Sequence, residues 1–174
     1  AFFETVGPFD HLVITAGATN RGAAFVEMPI DAVRDAFEGK FWVQLTAAHE
    51  GARFVRKGGS ITFFSGGANR RALPGMLNIA AVNAAIDGII PTLARELGPT
   101  RVNAISPGTL RTSYWTGVPD AAQEQIFDRI AKNVPAGRVG TADDVANAVL
   151  YLVSTSFVTG TVLHVDGGLP HGTL

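Results

Sequence analysis

Short apolar runs alternate with longer amphipathic stretches along the chain. Four apolar runs are each closed by glycine, proline or polar residues, which is typical of strands buried in a parallel sheet. They occupy residues 11–15, 60–64, 101–105 and 161–165. Stretches with apolar residues three and four positions apart predict helices, at about 30–56, 77–97, 121–132 and 142–153. Gly58 and Gly59 are predicted to end the first of these helices.

The order of these elements predicts the fold class. A helix between two strands is long enough to cross over and bring the second strand parallel to the first. Such a sheet is covered by helices on both faces. We therefore predict an α/β fold in three layers, with a doubly wound parallel sheet in the middle. The pattern contains no repeat or linker, so residues 1–174 are predicted to form one domain.

Composition narrows the choice of partners. The 14 basic and 15 acidic residues give a net charge of −1, which provides no field to attract nucleic acid or anionic lipid. The chain has no cysteine, which suits a reducing compartment. Apolar runs such as 86–97 are interrupted by charged residues, glycine and proline, well short of the roughly 20 residues that span a bilayer. We expect a cytoplasmic protein that acts on a small molecule, without nucleic acid or membrane as a partner.

Several motifs occur in a fixed order. Residues 10–17 read DHLVITAG, residues 93–98 read LARELG and residues 101–108 read RVNAISPG, with shorter motifs at 138–140, 158–160 and 165–168. Together they resemble the signatures of the short-chain dehydrogenase/reductase family, and the resemblance covers almost the whole chain. It implies a Rossmann-like sheet, NAD or NADP as cofactor, and hydride transfer between the cofactor and a carbonyl or alcohol.

The resemblance also implies a segment that this sequence does not contain. Family members open with two βαβ units, and the first carries a glycine-rich loop for the pyrophosphate. No such loop opens a helix here, and the strand at 11–15 would be left at an open edge of the sheet. We expect a piece of a longer protein; the alternative is a naturally short relative that covers the edge by oligomerising. The family chooses between NAD and NADP in that segment, so these residues leave the choice open.

Two turns resemble the family's cofactor pocket. One follows the first strand, where small residues let the adenosine approach, and the other frames the nicotinamide. The resemblance therefore implies cofactor contacts from Ala16, Gly17, Pro107, Gly108, Thr109 and Thr112. The alternative for both is an ordinary turn after a strand.

The family's catalytic positions are all replaced. In the family, a Tyr exchanges a proton with the substrate oxygen, a Lys lowers the pKa of that Tyr and binds the ribose, and a Ser polarises the carbonyl. An Asn lies on the preceding helix. Aligning residues 80–88 with the family motif places other residues at the Tyr, Lys, Ser and Asn positions, namely Ile79, Asn83, Gly66 and Lys40. Because isoleucine has no transferable proton, conventional catalysis should be severely impaired.

Lys40 and Asn83 suggest that two family residues have exchanged positions. Both positions face one cavity in relatives, so Lys40 would return an ammonium to it while Asn83 binds ribose hydroxyls; the alternative is that Lys40 points to solvent. Ser65 is the best-placed hydroxyl to orient a substrate oxygen, and its alternative is to cap a turn. A frame that makes Ser65 the family Ser puts Asn78 and Val82 at the Tyr and Lys positions. The catalytic candidates are therefore Ser65, Lys40 and Asn83.

Other polar residues are weaker candidates. His49 lies nine positions after Lys40, about 180° around an ideal helix, and should face away from the cavity. Tyr114 falls in the segment that forms the substrate lid in relatives and would have to swing in to reach a substrate. Arg70 and Arg71 would either contact an anionic substrate or remain surface arginines. No His, Asp or Glu cluster has the spacing of a metal site.

Two functions remain open. One is an NAD(P)-dependent oxidoreductase with an altered proton donor, acting on an unknown carbonyl or alcohol. The other is a catalytically silent protein that keeps the fold and binds the dinucleotide or acts as a scaffold. In both cases the resemblance implies a homodimer or homotetramer, because relatives pair their two long helices and their last strands.

Overall fold

The computed structural model describes residues 2–17 and 22–169. The principal helices are α1 (Phe2–Val6), α2 (Ile30–Ala36), α3 (Val43–Gly51), α4 (Leu77–Glu96), α5 (Asp120–Asn133) and α6 (Ala142–Ser154). The strands are β1 (Phe9–Val13), β2 (Val55–Phe64), β3 (Arg101–Pro107), β4 (Leu110–Arg111), β5 (Gly140–Thr141) and β6 (Val162–Val165). A π-helical segment, Phe37–Trp42, joins α2 to α3. Short 3₁₀ turns lie at Phe25–Glu27, Ala52–Phe54, Gly67–Arg70 and Ser113–Trp115.

The main sheet has the predicted parallel, three-layer arrangement. Its strand order is β1-β2-β3-β6, and every neighbouring pair is parallel. Ile61, Phe63 and Val82 belong to a core on one face, where the sheet packs against the long helices. Ile105 and Leu152 belong to a second core on the other face, beneath α6. The α/β, Rossmann-like fold class predicted from the sequence is confirmed.

The first long helix differs from its prediction in two ways. It contains the π-helical segment, and its last α-helical residue is Gly51 rather than a residue near 56. Gly51 lies so close to β1 that a Cβ there would come within 2.7 Å of Leu12 Cδ2. Gly58 and Gly59 do not end the helix, because they lie inside β2. Gly59 is required there, since a Cβ would collide with the backbone oxygen of Asp10.

A capping box begins α6. The Thr141 hydroxyl accepts from the backbone N–H of Asp144, and the Asp144 carboxylate accepts from the backbone N–H of Thr141. Arg138 also donates twice to that carboxylate, with both distances 2.7 Å. The hydrogen bonds from Arg138 are the main reason that the pKa of Asp144 lies far below its ordinary value.

The small β4–β5 pair, which brings Leu110 opposite Gly140, was not predicted.

Helix α4 meets the length and composition of a membrane span, contrary to the expectation that no stretch would. The 20-residue helix has a mean hydropathy of 1.4 in its most apolar window. Its apolar residues have a place in the fold, however, because Val82, Ile86 and Ile90 are fully buried in the core. An apolar helix of this kind is what a sheet covered on both faces requires.

Candidate active site

A cavity of about 430 Å³ opens where the carboxyl ends of β1, β2 and β3 meet. Parallel strands bring their carboxyl ends to one edge of the sheet, and ligands bind at this edge in open α/β folds. Every residue predicted for catalysis or cofactor binding lines this one cavity: Ala16, Gly17, Lys40, Ser65, Asn83, Pro107, Gly108, Thr109 and Thr112. Gly66 and Ile79, which replace two of the family's catalytic residues, line it as well. The structure therefore brings the whole predicted set together, while the role of each residue stays a prediction.

Lys40 reaches into the cavity from the π-helical segment. Its Nζ donates to the Ser65 backbone carbonyl and to Asn83 Oδ1, with both distances 2.7 Å. The stem of Lys40 passes over Gly17, where a Cβ would lie 3.6 Å from its Cγ and Cδ. The side chain is thus held between the ends of β1 and β2 and helix α4. The alternative that Lys40 points to solvent is wrong.

Burial lowers the pKa of the Lys40 ammonium. Removal from water lowers the pKa of this ammonium from its ordinary 10.5 to about 8, because the charged form loses more solvation than the neutral form. The carboxylate of Asp87 on α4 acts in the opposite direction and offsets part of this shift. Lys40 is therefore a cation that changes charge close to physiological pH.

Asn83, Gly66 and Ile79 line the cavity on the side of α4 and β2. Asn83 is 2% exposed and presents its Oδ1 to Lys40. A Cβ at Gly66 would lie only 3.0 Å from Asn83 Nδ2, so the absence of a side chain at position 66 leaves room for this amide. The Ile79 side chain adds an apolar surface to the cavity wall and has no proton that it could transfer to a substrate.

Ser65 follows the end of β2 with its side chain buried in the cavity wall. The residue is 6% exposed, and its Oγ makes no hydrogen bond to any residue within the described ranges. The alternative role of capping a turn is therefore not seen. A buried hydroxyl without a partner is costly unless a ligand or water satisfies it.

Gln44 is a residue of this site that sequence reasoning missed. It is fully buried one turn beyond Lys40. Its Nε2 donates to the carbonyls of Ala16 (3.0 Å) and Phe64 (2.8 Å), and its Oε1 accepts from the Phe64 backbone N–H (2.8 Å). One side chain thus ties the helix to the ends of β1 and β2. The available signal was a polar residue on the buried face of a helix, at i+4 from a candidate.

The segment that follows β3 forms another part of the rim of the cavity. Gly108 lies against β6 so closely that a Cβ would come within 2.8 Å of Asp166 Cα. Trp115 is anchored by its Nε1, which donates to the Leu110 carbonyl at 2.9 Å, and it meets Phe127 edge-on at 5.3 Å. Tyr114 also lines the cavity but is 55% exposed.

The remaining candidates lie apart from the cavity. The His49 side chain is 81% exposed beside Glu50, so the prediction that it faces away is confirmed. Arg70 does not line the cavity and pairs with Asp166 at 3.4 Å. Within residues 2–17 and 22–169, no group of three or more His, Asp or Glu residues is placed to hold a metal ion.

Comparison with known proteins places these features in a family. A family model described as an enoyl-(acyl carrier protein) reductase matches residues 1–170. The short-chain dehydrogenase/reductase ATR9 of Stachybotrys chlorohalonatus is 34% identical over 166 residues, which cover 94% of this chain and 65% of that protein. The 3-oxoacyl-(acyl-carrier-protein) reductase FabG of Thermotoga maritima is 34% identical over 176 residues, covering 95% of this chain and 68% of that protein.

A solved structure is also closely similar. The crystal structure of a small-chain dehydrogenase in complex with NADPH superposes with a TM-score of 0.94 at 42% identity, covering 98% of this chain and 78% of that chain. Among curated relatives, the chain spans 65% of one, 61% of another and 46% of a third. The chain belongs to the short-chain dehydrogenase/reductase family.

Proposed function

We propose that this protein is an NAD(P)-dependent oxidoreductase that interconverts a carbonyl and an alcohol. The observation that carries the proposal is the convergence of the cofactor-frame turns and a buried ammonium on one cavity at the carboxyl ends of the strands. The similar small-chain dehydrogenase with bound NADPH supports a nicotinamide dinucleotide as the cofactor. NAD and NADP both remain candidates, and the substrate is a small molecule.

The residues present fit such a cofactor. The Ser65 hydroxyl is buried without a partner among the described residues, and the Lys40 ammonium uses two of its three N–H groups on protein acceptors. Asn83 would hold the ribose hydroxyls, Lys40 would place its ammonium beside Asn83, and the backbone from Pro107 to Thr112 would border the nicotinamide. When bound, the dinucleotide supplies or accepts a hydride.

A second function is favoured by one observation. Ile79 lines the cavity at the position where the family has its proton-donating Tyr, so the protein could bind the dinucleotide without catalysis. Turnover distinguishes the two functions, because only the oxidoreductase oxidises NADPH or NADH in the presence of a carbonyl.

The test begins with binding. Fluorescence titration of the full-length protein with NADPH and NADH is expected to give saturable binding of at least one of them. Lys40→Ala should weaken it by about tenfold, because Asn83 loses the charge-assisted hydrogen bond that orients it, while Lys132→Ala at an exposed position of α5 should not. A panel of aldehydes and ketones then measures turnover. Absence of dinucleotide binding would overturn both functions; binding without turnover would leave the silent protein.

We also propose that the protein forms a homodimer or homotetramer, as its relatives' paired helices imply. Trp42 and Val43 support this assembly, because they expose apolar surface at the start of α3.

A further inference from the structure

Reduction of a carbonyl needs a proton as well as a hydride, and the cavity offers few sources. Among its described lining residues, Lys40 and Tyr114 are the titratable ones. The lining also includes hydroxyls, such as that of Ser65, and the Asn83 amide, which release protons only far above neutral pH. Asp87 and His164 do not line the cavity. The choice of proton donor from the described chain therefore lies between a buried ammonium and an exposed phenol.

The geometry favours the ammonium. Lys40 Nζ is fixed by the Ser65 carbonyl and by Asn83 Oδ1, each at 2.7 Å. An ammonium has three N–H groups, so one remains for a ligand in the cavity. Tyr114, by contrast, lies on an exposed 3₁₀ turn, and its ring contact is an edge-on approach to Trp115 at 5.3 Å.

We propose that Lys40 is the catalytic proton donor in carbonyl reduction, in place of the missing tyrosine; this inference rests on the proposed oxidoreductase function. The new C–H bond would take its hydride from a bound reduced dinucleotide, which would be left oxidised. As the carbonyl π electrons move to oxygen, the oxygen takes a proton from Lys40 Nζ, so an O–H bond forms and an N–H bond breaks. Neutral Lys40 then regains a proton from water. In alcohol oxidation, neutral Lys40 accepts the proton.

The surroundings of Lys40 suit this exchange. Burial lowers the pKa of Lys40 to about 8, which is close to the pH at which a general acid works best. The other titratable groups near Lys40 are Asp87 on α4, which acts on its charge, and Tyr114 on the rim of the cavity. Asp87 is itself engaged by Asn69, whose Nδ2 donates to Asp87 Oδ2 at 2.6 Å. Asn83 and the Ser65 carbonyl accept hydrogen bonds from the ammonium and thereby keep it at the cavity.

Replacement of Lys40 by arginine separates proton donation from charge. Arginine keeps a cation for the cofactor, but its pKa is too high to release a proton at neutral pH. In the full-length protein, Lys40→Arg is expected to bind NADPH within about threefold of wild type and to lose about 100-fold or more in kcat. Lys40→Met should lose both affinity and kcat. Lys132→Met, a matched lysine change on α5, should change neither, and circular dichroism shows whether each variant is folded.

Two further measurements complete the test. The wild-type reduction rate should fall as pH rises above about 8, and ¹⁵N NMR of the Lys40 side chain, identified by its absence in Lys40→Arg, should titrate near the same pH without any substrate. Wild-type rates in Lys40→Arg, a titration above pH 10, or loss of turnover in Tyr114→Phe would each overturn the role of Lys40. If wild type neither binds dinucleotide nor turns over a carbonyl, the proposed function itself fails.

Discussion

The buried Lys40 ammonium makes the stability of the fold depend on pH. The folded pKa of about 8 lies below the ordinary value of 10.5. Between these two values the unfolded chain holds a proton that the folded chain has released, so the free energy of unfolding rises with pH in this window. Below about pH 8 both states are protonated, and the folded state carries the full cost of burying the charge.

Lys40→Met removes this dependence. The free energy of unfolding of wild type, relative to Lys40→Met, is expected to rise by about 3 kcal/mol between pH 7 and pH 10.5. Urea unfolding at several pH values measures it, and taking the difference cancels the other lysines and tyrosines. Lys132→Met, exposed on α5, should show a constant difference from wild type. A constant difference for Lys40→Met as well would show that Lys40 is not desolvated.

At the scale of elements, Gln44 ties a helix to two strand ends through three hydrogen bonds. Gln44→Met keeps the approximate size of the side chain but leaves buried backbone groups of Ala16 and Phe64 unpaired. Because each unsatisfied buried group costs about 1–3 kcal/mol, we expect a loss of about 3 kcal/mol or more in urea unfolding. The same change at exposed Gln125 on α5 should stay within about 0.5 kcal/mol. Equal effects at the two positions would contradict the structural role of Gln44.

The elements also explain what the sequence predicts well. Apolar runs predict the four strands of the main sheet, because strands covered on both faces must be apolar throughout. Candidate residues just after β1, β2 and β3 meet in one cavity because parallel strands end at one edge. The π-helical turn beneath Lys40 is not predictable, since it arises from packing and leaves no periodic signal. Gln44 carries only the signal of a polar residue on the buried face of a helix, and its role becomes clear once its backbone partners are known.

At the scale of the whole molecule, a sheet edge and an apolar helix surface are left open. β1 is an edge strand of the main sheet within the described residues, and open edges tend to pair with further backbone. Separately, Val43 is 44% exposed beside Trp42, which is 47% exposed. Neighbouring apolar side chains on a helix surface are a common feature of interfaces between subunits. The proposed homodimer or homotetramer would bury this helix surface.

A charge placed on that surface should weaken the assembly. Val43→Glu puts a carboxylate into the proposed interface, where its desolvation is costly, so the subunit dissociation constant should rise at least about tenfold. Light scattering coupled to size-exclusion chromatography over a range of concentrations measures the mass of the assembly. Val26→Glu is the matched control, because Val26 is 90% exposed on the 3₁₀ turn Phe25–Glu27. If wild type is a monomer, or if both variants keep the wild-type mass at every concentration, α3 does not form the subunit contact.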